Sequence, residues 1–333
     1  MKYFIKYLKI AIIGYGSIGK RHVQNLINIK NIEIIICTKQ NIKNPNTKKI
    51  KIVKSISECI KEKPDMGIVA NETSKHVRIA NELVKHGIHI FLEKPLSNST
   101  KDLKLLRNTI EKQNLISQIG CNFRFHPCIM KMKELVEKGI IGKIISVSAE
   151  SGSYLPDWHP YEDYTKGYAA RDDLGGGIVL TCIHEIDYLY WILGDVKEVF
   201  SITGKFSKLK VTSDDMSAII LKFKNNVIGE LHLDYFQRPN FKSCKIRGEK
   251  GTIYWNSDNN EVKIHLTNKK RWKTVLQTKN YERNKMYVDE INHFLKCVKT
   301  RKTTINNIKE GIRTLEISLG IKKSSKLKKM IGV

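Results

Sequence analysis

A glycine pattern near the start of the chain constrains its fold more than any other feature. Gly14, Gly16 and Gly19 are spaced as G-x-G-x-x-G, after an apolar run at 8–13 and before apolar residues at helical spacing and a second apolar run at 32–37. A strand, a glycine turn, a helix and a second strand within about 30 residues form the context in which this pattern binds a dinucleotide. The alternative is a plain turn between a strand and a helix, which the flanking pattern disfavours.

The glycines of this turn have different predicted roles. Gly14 permits a tight turn, Gly16 lets backbone N–H groups approach a pyrophosphate, and Gly19 lets the helix pack closely against the strand. The positive end of the helix dipole favours phosphate groups at the same place. We therefore predict that the dinucleotide contacts Gly14, Tyr15, Gly16, Ser17, Ile18 and Gly19.

Strand and helix patterns alternate through the first third of the chain. Strands are predicted at 8–13, 32–37, 66–70, 88–92 and 115–119, and helices at 17–28, 55–62, 74–86 and 99–113. A polar segment at 40–49 is expected to be a loop. The alternation predicts an α/β fold whose first domain is a Rossmann-type, doubly wound parallel sheet with helices on both faces.

The pattern changes after residue 120. Alternating apolar residues predict strands at 144–151, 197–204, 216–224, 227–236, 242–247, 251–255, 261–266 and 272–277. Helices are predicted at 128–138, 177–193, 285–299 and 306–326. We therefore predict an NAD(P)-binding Rossmann domain at 1–121 and an α/β domain with an open, mainly antiparallel sheet at 122–333.

Composition narrows the class of protein. The net charge of +26 could indicate nucleic-acid binding, but Lys and Arg are spread along the whole chain, so anionic small ligands are the better expectation. No apolar run approaches the roughly 18 residues of a transmembrane helix. The seven cysteines are irregularly spaced, which suits a reducing compartment and gives no zinc-ligand pattern. Lys6 and Lys9 interrupt the apolar N-terminal stretch, so we expect no signal peptide. Together these features predict a cytoplasmic protein without a membrane span or a metal site.

The ends of the predicted parallel strands indicate the cofactor contacts. Ligands bind such sheets at the carboxyl edge, so we expect contacts from Asn71, Glu93 and Lys94, which follow the third and fourth strands. The second strand ends in Thr38-Lys39, where an NAD site usually carries an acidic residue. A hydroxyl followed by a lysine suits a ribose 2′-phosphate, so NADP is preferred over NAD. The alternative is that Lys39 is only a solvated loop lysine.

Two stretches have residues suited to acid–base chemistry. Lys94 follows a strand at the carboxyl edge, where an ammonium can hold a substrate hydroxyl and favour loss of its proton. His184 lies two turns into a helix opened by the glycines at 175–177, with Asp187 and Tyr188 on the same face. Histidine is the usual acid–base group near neutral pH. Taken singly, Lys94 could be an ordinary surface lysine and His184 an ordinary core histidine.

Taken together, these motifs resemble the Gfo/Idh/MocA oxidoreductase family. The resemblance rests on Gly14-Tyr-Gly16-Ser-Ile-Gly19, Glu93-Lys94-Pro95, Asn122-Phe-Arg124-Phe-His126-Pro127, and Gly175-Gly-Gly177 followed by His184-Glu-Ile-Asp187. It implies a Rossmann domain and an α/β domain whose open sheet often forms the oligomer interface, hence a homodimer or homotetramer. It also implies that Lys94 and His184 are catalytic and flank the reacting hydroxyl beside the nicotinamide.

One position departs from the family pattern. Members usually carry an aspartate a few residues before the histidine, and the matching residue here is Thr181. Lys94 and His184 could suffice for catalysis without this aspartate, which is the interpretation that we favour. Alternatively, Asp173 or Asp187 could assist, or catalysis could be weak.

The loop at 154–172 resembles that of members associated with sugar and nucleotide-sugar biosynthesis. Its aromatic rings can stack on a sugar or a base, and arginines can hold a carboxylate or phosphate bidentately. The alternative is a structural loop rich in aromatic residues. The predicted substrate-binding residues are Arg124, Trp158, Tyr161, Arg171, Thr181 and His184.

The expected activity is reversible hydride transfer between nicotinamide and a hydroxyl or keto carbon of a sugar or nucleotide-activated sugar. His184 would exchange the hydroxyl proton, and Lys94 would polarise the oxygen. Two alternatives stay open. One is a dinucleotide-bound sensor without turnover, and the other is redox-assisted elimination or glycoside cleavage.

Overall fold

The computed structural model describes residues 7–42 and 49–333. Lys6 and most of the predicted loop at 40–49 lie outside these residues. The chain divides into two compact units. The first comprises Met1–Gly120 with Tyr287–Ile312, and the second comprises Cys121–Met286 with Arg313–Val333.

The first unit contains a six-stranded parallel sheet in the order β3-β2-β1-β4-β5-β6. Its strands are β1 (Leu8–Ile13), β2 (Ile32–Cys37), β3 (Ile50–Val53), β4 (Met66–Val69), β5 (His89–Glu93) and β6 (Ser117–Gly120). Its helices before residue 120 are α1 (Ser17–Ile27), α2 (Ile56–Lys61), α3 (His76–Lys85) and α4 (Leu103–Lys112). This strand order is that of a Rossmann fold, in which ligands bind at the carboxyl ends of the strands where the order reverses, between β1 and β4.

Apolar runs explain why the central strands form. β1 and β2 are nearly continuous in isoleucine, and β4 is buried along its whole length, as expected for strands covered on both faces. β3 was not predicted. It has only four residues, and the exposed Lys51 interrupts its apolar pattern.

The second unit contains a nine-stranded sheet in the order β14-β13-β12-β11-β7-β10-β9-β8-β15. Its strands are β7 (Ile144–Gly152), β8 (Val196–Gly204), β9 (Met216–Phe223), β10 (Ile228–Asp234), β11 (Phe241–Gly248), β12 (Gly251–Asn256), β13 (Glu261–Leu266), β14 (Lys273–Gln277) and β15 (Ile331–Gly332). All neighbouring strands pair antiparallel except β7 and β10. The predicted fold class, a Rossmann sheet plus an α/β domain with an open and mainly antiparallel sheet, is confirmed.

The helices of the second unit include α5 (Pro127–Glu137), α6 (Ile178–Thr181) and α7 (Ile183–Leu193). The sequence predicted one helix at 177–193. The structure breaks it at Cys182, whose ψ of 35° departs from helical values. The candidate catalytic His184 therefore lies in the first turn of α7 rather than two turns into a longer helix.

Two helices lie between β14 and β15, α8 (Asn284–Thr300) and α9 (Ile308–Leu327). The predicted domain boundary assigns all residues after 121 to the second domain, whereas Tyr287–Ile312 belongs to the first unit. The reason is the apolar face of α8, where Ile291, Phe294 and Val298 join the core of the parallel sheet. Among the described residues, no helix has both the length and the apolar character needed to cross a membrane.

Candidate active site

The glycine turn after β1 requires glycine at two of its three positions for the turn itself. Gly14 has a φ of +99°, and a Cβ there would lie 2.7 Å from the carbonyl oxygen of Ala70. A Cβ on Gly19 would collide with the carbonyl oxygen of Gly14. These two glycines therefore let α1 start close against the carboxyl ends of β1 and β4.

Gly16 has no such packing reason. Among the residues that the structure describes, a Cβ built on it meets nothing within 4 Å, and no side chain caps the N-terminus of α1. Gly16 and Ser17 are both exposed. The turn thus offers an open cradle at the positive end of a helix, which fits the pyrophosphate of a dinucleotide.

Backbone hydrogen bonds bring the predicted cofactor residues of three strands to one edge of the sheet. The Gly14 N–H donates to the Cys37 carbonyl at 3.0 Å, and the Ala70 N–H donates to the Ile13 carbonyl at 2.8 Å. The edge therefore carries Gly14 after β1, Thr38 after β2 and Asn71 after β4.

Two lysines lie near the end of β2, one after β2 and one after the neighbouring β3. The buried Thr38 hydroxyl accepts the Gln40 N–H at 3.2 Å, and Lys39 is exposed beside it. Lys54 follows β3, and its Nζ donates to the Gln40 carbonyl at 2.9 Å. No sequence pattern placed Lys54 here, because β3 was not predicted.

Glu93 is the last residue of β5 and Lys94 follows it, and the Glu93 carboxylate points inward. It is buried, and its Oε1 lies 2.7 Å from Nε2 of His22 on α1. The Glu93 side chain thus bonds to His22, and its contact with the cofactor stays a prediction. Lys94 is half-buried at the strand end.

His76, which the sequence did not single out, bridges the loops after β4 and β5. Its Nε2 lies 2.9 Å from the Asn71 carbonyl oxygen, and its Nδ1 lies 3.0 Å from the Pro95 carbonyl oxygen. Burial lowers the pKa of His76, although the two carbonyls and the Glu93 carboxylate act in the opposite direction. The ring links Asn71 to the residue after Lys94.

In the second unit, His184 stands in an aromatic cluster. Its half-buried ring stacks on Phe123 with centroids 5.0 Å apart, and Phe123 also stacks on His126 at 5.7 Å. Burial lowers the pKa of His126 to about 4. Thr181, predicted to bind substrate, is buried at the end of α6. Phe123 of the motif at 122–127 thus packs against the His184 ring.

Arg124 lies in the interior of the second unit. It is fully buried, and its Nε and Nη2 donate to the two carboxylate oxygens of Asp187 at 2.9 Å each. The Thr314 hydroxyl donates to the same carboxylate at 3.1 Å. The Arg124 side chain thus forms an internal ion pair with Asp187, one of the two carboxylates considered as helpers, and its contact with substrate stays a prediction.

The other predicted substrate residues lie in the loop at 152–174. Arg171 and Asp173 form a bidentate pair, and Arg171 lowers the pKa of the exposed Asp173 carboxyl. Trp158 donates from Nε1 to the Ser153 hydroxyl at 2.8 Å and packs edge-on against Tyr235. Tyr161 is 79% exposed. The loop therefore offers aromatic surface, while its arginine is already paired.

Sequence reasoning missed one charged group near His184. Lys242 on β11 donates from Nζ to the Ser151 hydroxyl and to the buried Glu185 carboxylate, and it lies 5.3 Å from the centre of the Phe123 ring. One lysine among many carried no signal, because its partners are 57 and 91 residues away in sequence. In the described part of the chain, no group of three or more His, Cys, Asp or Glu side chains could hold a metal ion.

Comparisons with known proteins agree with this architecture. Residues 8–121 match the model of an oxidoreductase family with an NAD-binding Rossmann fold, and residues 129–254 match the GFO/IDH/MocA C-terminal domain. The chain is 28% identical to the myo-inositol 2-dehydrogenase of Thermotoga maritima, over 98% of this chain and 100% of that protein.

Solved structures share the fold at lower identity. A levoglucosan dehydrogenase in complex with NADH superposes with a TM-score of 0.85 at 18% identity, over 98% of this chain and 99% of that one. The WlbA dehydrogenase of Bordetella pertussis, in complex with NADH and UDP-GlcNAcA, gives a TM-score of 0.82 at 18% identity, over 98% and 99% of the two chains. Because the two family models together span most of the chain, the protein belongs to the Gfo/Idh/MocA family of oxidoreductases.

Proposed function

We propose that the protein is a nicotinamide-dependent dehydrogenase that interconverts a hydroxyl and a keto group on a sugar, a polyol or a nucleotide-activated sugar. The observation that carries the proposal is the placement of Lys94. It follows β5 at the same carboxyl edge as the open glycine turn after β1, with only β4 between these strands. A lysine at that edge is suited to act on a substrate next to a bound dinucleotide.

When bound, the dinucleotide supplies the hydride acceptor or donor. Lys94 donates a hydrogen bond to the substrate oxygen and stabilises negative charge that develops on it. His184 takes or returns the hydroxyl proton, a role that its half-buried, stacked ring suits. Positioned acid–base groups of this kind contribute on the order of 10²–10⁴-fold to the rate.

A sugar-like substrate is supported by the relatives and by the loop at 152–174. The relatives named above act on myo-inositol or levoglucosan, or were solved with a nucleotide sugar. Trp158 and Tyr161 present aromatic surface that can stack on a sugar ring or a base. We propose that these two side chains, with Thr181 and His184, face the substrate.

We further propose NADP as the preferred cofactor. Thr38 accepts one hydrogen bond and keeps its hydroxyl proton to donate, and Lys39 and Lys54 add positive charge at the end of β2. The measurement is the ratio of Kd for NADPH and NADH from nicotinamide fluorescence. Lys39→Ala should raise Kd for NADPH about tenfold, because a charge-assisted hydrogen bond is lost, and leave Kd for NADH unchanged. Lys30→Ala, an exposed lysine at the other end of β2, is the matched control. Tighter binding of NADH than NADPH by the unaltered protein would leave NAD as the cofactor.

We also propose a cytoplasmic homodimer or homotetramer joined through the nine-stranded sheet. The sheet has a groove of about 550 Å³ on one face, lined by Ile202 and Ile220, which are 56% and 37% exposed. All seven cysteines lie among the described residues and are free thiols, which suits a reducing compartment. Light scattering on Ile220→Lys should show a smaller species than the unaltered protein. Light scattering that shows the unaltered protein to be a monomer would contradict this proposal.

The test of the activity has two stages. NADH and NADPH are first titrated, and a panel that includes myo-inositol, levoglucosan and nucleotide sugars is then assayed with NAD⁺ and NADP⁺ by absorbance of the reduced nicotinamide. His184→Asn and Lys94→Met should each lower kcat about 10²–10⁴-fold while cofactor binding persists. His265→Asn and Lys101→Met serve as matched controls.

Other outcomes of this assay point to the alternatives. Tight dinucleotide binding without turnover would favour a sensor, which Thr181 in place of the usual aspartate keeps open. Substrate conversion without a net change in the cofactor would indicate redox-assisted elimination or cleavage.

A further inference from the structure

A buried histidine–carboxylate pair joins the helix of the glycine turn to the residue before Lys94. His22 lies on α1, and Glu93 ends β5. Nε2 of His22 is 2.7 Å from Oε1 of Glu93, and the two side chains are 1% and 9% exposed. They are 71 residues apart in sequence, so only the fold brings them together.

The second oxygen of this carboxylate faces the backbone of Lys94. Oε2 of Glu93 accepts the Lys94 N–H at 3.3 Å. A Cβ on Gly120 would lie 3.0 Å from the same oxygen, so glycine at the end of β6 leaves the room that the carboxylate occupies. Each oxygen of Glu93 thus has a partner, and the pair connects α1 to the chain at Lys94.

The chain is also held on the other side of Lys94. His76 approaches the Pro95 carbonyl oxygen at 3.0 Å and the Asn71 carbonyl oxygen at 2.9 Å. The His76 ring therefore contacts the backbone just after the lysine, while Glu93 accepts the backbone N–H of the lysine itself.

Stability alone is a poor reason for the pair. The His22 ring packs edge-on against Phe91, which packs in turn against Phe294, so its surroundings are apolar. Replacing a buried polar pair by apolar side chains of similar size is often neutral or stabilising. Among the described residues, Nδ1 of His22 is buried without a hydrogen-bond partner, which also counts against stability.

The chemistry of the ring fixes the direction of the bond. An imidazole that carries a proton on Nε2 donates this proton to Oε1 of Glu93. In the tautomer with its proton on Nδ1, the lone pair of Nε2 would face the carboxylate oxygen and repel it. His22 is therefore the donor, and Glu93 is an acceptor on both sides.

We propose that His22 and Glu93 are positioning residues for Lys94. His22 holds the Glu93 carboxylate, which holds the Lys94 N–H, so that the helix that begins at the dinucleotide turn also sets the place of the lysine. The inference rests on the proposed function of Lys94. It goes beyond that function because it assigns a role to His22 on α1. It also gives the Glu93 side chain a positioning role instead of contact with the cofactor.

The variants separate hydrogen bonding from packing. His22→Phe keeps a ring against Phe91 but removes the donor, and His22→Gln keeps an N–H donor. His89→Phe is the matched control at the opposite end of β5, where His89 bonds to the Ile116 N–H and to Arg301. It should destabilise the first unit without touching Glu93.

Kinetics with the substrate found in the panel give the first readout. His22→Phe should lower kcat about 10–100-fold, since a displacement of about 1 Å can have that effect, while Kd for the dinucleotide stays within about twofold. The primary deuterium isotope effect on kcat should rise, because hydride transfer becomes slower relative to product release. His22→Gln should recover most of kcat, and His89→Phe should leave it unchanged at temperatures where the protein is folded.

Hydrogen exchange at the Lys94 amide gives a readout that does not need turnover. The Lys94 N–H should exchange at least about tenfold faster in His22→Phe than in His89→Phe, compared at equal global stability in urea. Equal exchange and equal loss of kcat in the two variants would overturn the inference and leave a merely structural pair. Full turnover by Lys94→Met would instead remove the proposed role of Lys94, and this positioning role with it. An unaltered protein without turnover would refute the proposed activity, and the exchange result alone would then decide whether His22 holds the Lys94 backbone.

Discussion

Replacing Arg124 by methionine removes a guanidinium that is fully buried and bonded to both carboxylate oxygens of Asp187. The carboxylate is then left buried with the Thr314 hydroxyl still donating to it. Removing one member of a buried ion pair typically costs about 3–5 kcal/mol, because the other charge keeps its desolvation penalty. The loss is a large part of the roughly 5–15 kcal/mol by which a typical domain is stable.

The assay is urea unfolding of Arg124→Met, Asp187→Leu and the double variant. We expect each single variant to lose about 3–5 kcal/mol and the double variant to lose much less than their sum, since neither charge then remains unpaired. The coupling energy measures the pair directly. A loss below about 1 kcal/mol in Arg124→Met, together with a raised KM for substrate, would refute this reasoning and restore the substrate contact that the sequence predicted.

Further expectations concern the glycine turn and two buried histidines. Gly16→Ala should leave the unfolding free energy within about 0.5 kcal/mol, because its Cβ meets nothing within 4 Å among the described residues, yet it should weaken dinucleotide binding at least about tenfold. Equal dinucleotide binding by Gly16→Ala and the unaltered protein would contradict the proposed pyrophosphate cradle. Gly14→Ala should instead lower the melting temperature, because its φ of +99° and the Ala70 carbonyl exclude a side chain. The pKa values of His89 and His126 are lowered to about 4, chiefly by burial, so the unfolded chain binds more protons below about pH 6.5. Stability should therefore be complete above about pH 6.5 and fall towards pH 4 by up to about 1.4 kcal/mol per pH unit for each histidine. Urea midpoints at several pH values check this. An unchanged slope of stability against pH in the variant that carries both His89→Gln and His126→Gln would contradict it.

Local patterns were enough to predict most of the secondary structure. Apolar runs identified β1, β2 and β4, and alternation identified the strands from β7 to β14 with closely matching bounds. The short β3 strand was missed because a lysine interrupts its four residues, and Lys54 was missed with it. Periodicity gives the apolar face of α8 but not the sheet that it packs against.

The partners of side chains within the site were harder to predict than its location. Lys94 and the glycine turn could be placed at one sheet edge because parallel strands share their carboxyl ends. The partner of Arg124 is 63 residues away and the partner of Glu93 is 71 residues away, and nothing local in the sequence specifies either pair. Both residues were therefore assigned to ligands, whereas the fold uses their charged groups internally.

Transfer of deuterium tests the central claim most directly. The protein is incubated with NAD⁺ and NADP⁺ and a pool of carbon-deuterated sugars, polyols and nucleotide sugars that includes myo-inositol and levoglucosan, and the nicotinamide is analysed by mass spectrometry. We expect deuterium on the reduced nicotinamide with the unaltered protein and with His265→Asn, and a rate lower by about 10²–10⁴-fold with His184→Asn. A protein that binds the dinucleotide but transfers no deuterium, or a His184→Asn variant that transfers it at the full rate, would contradict the account.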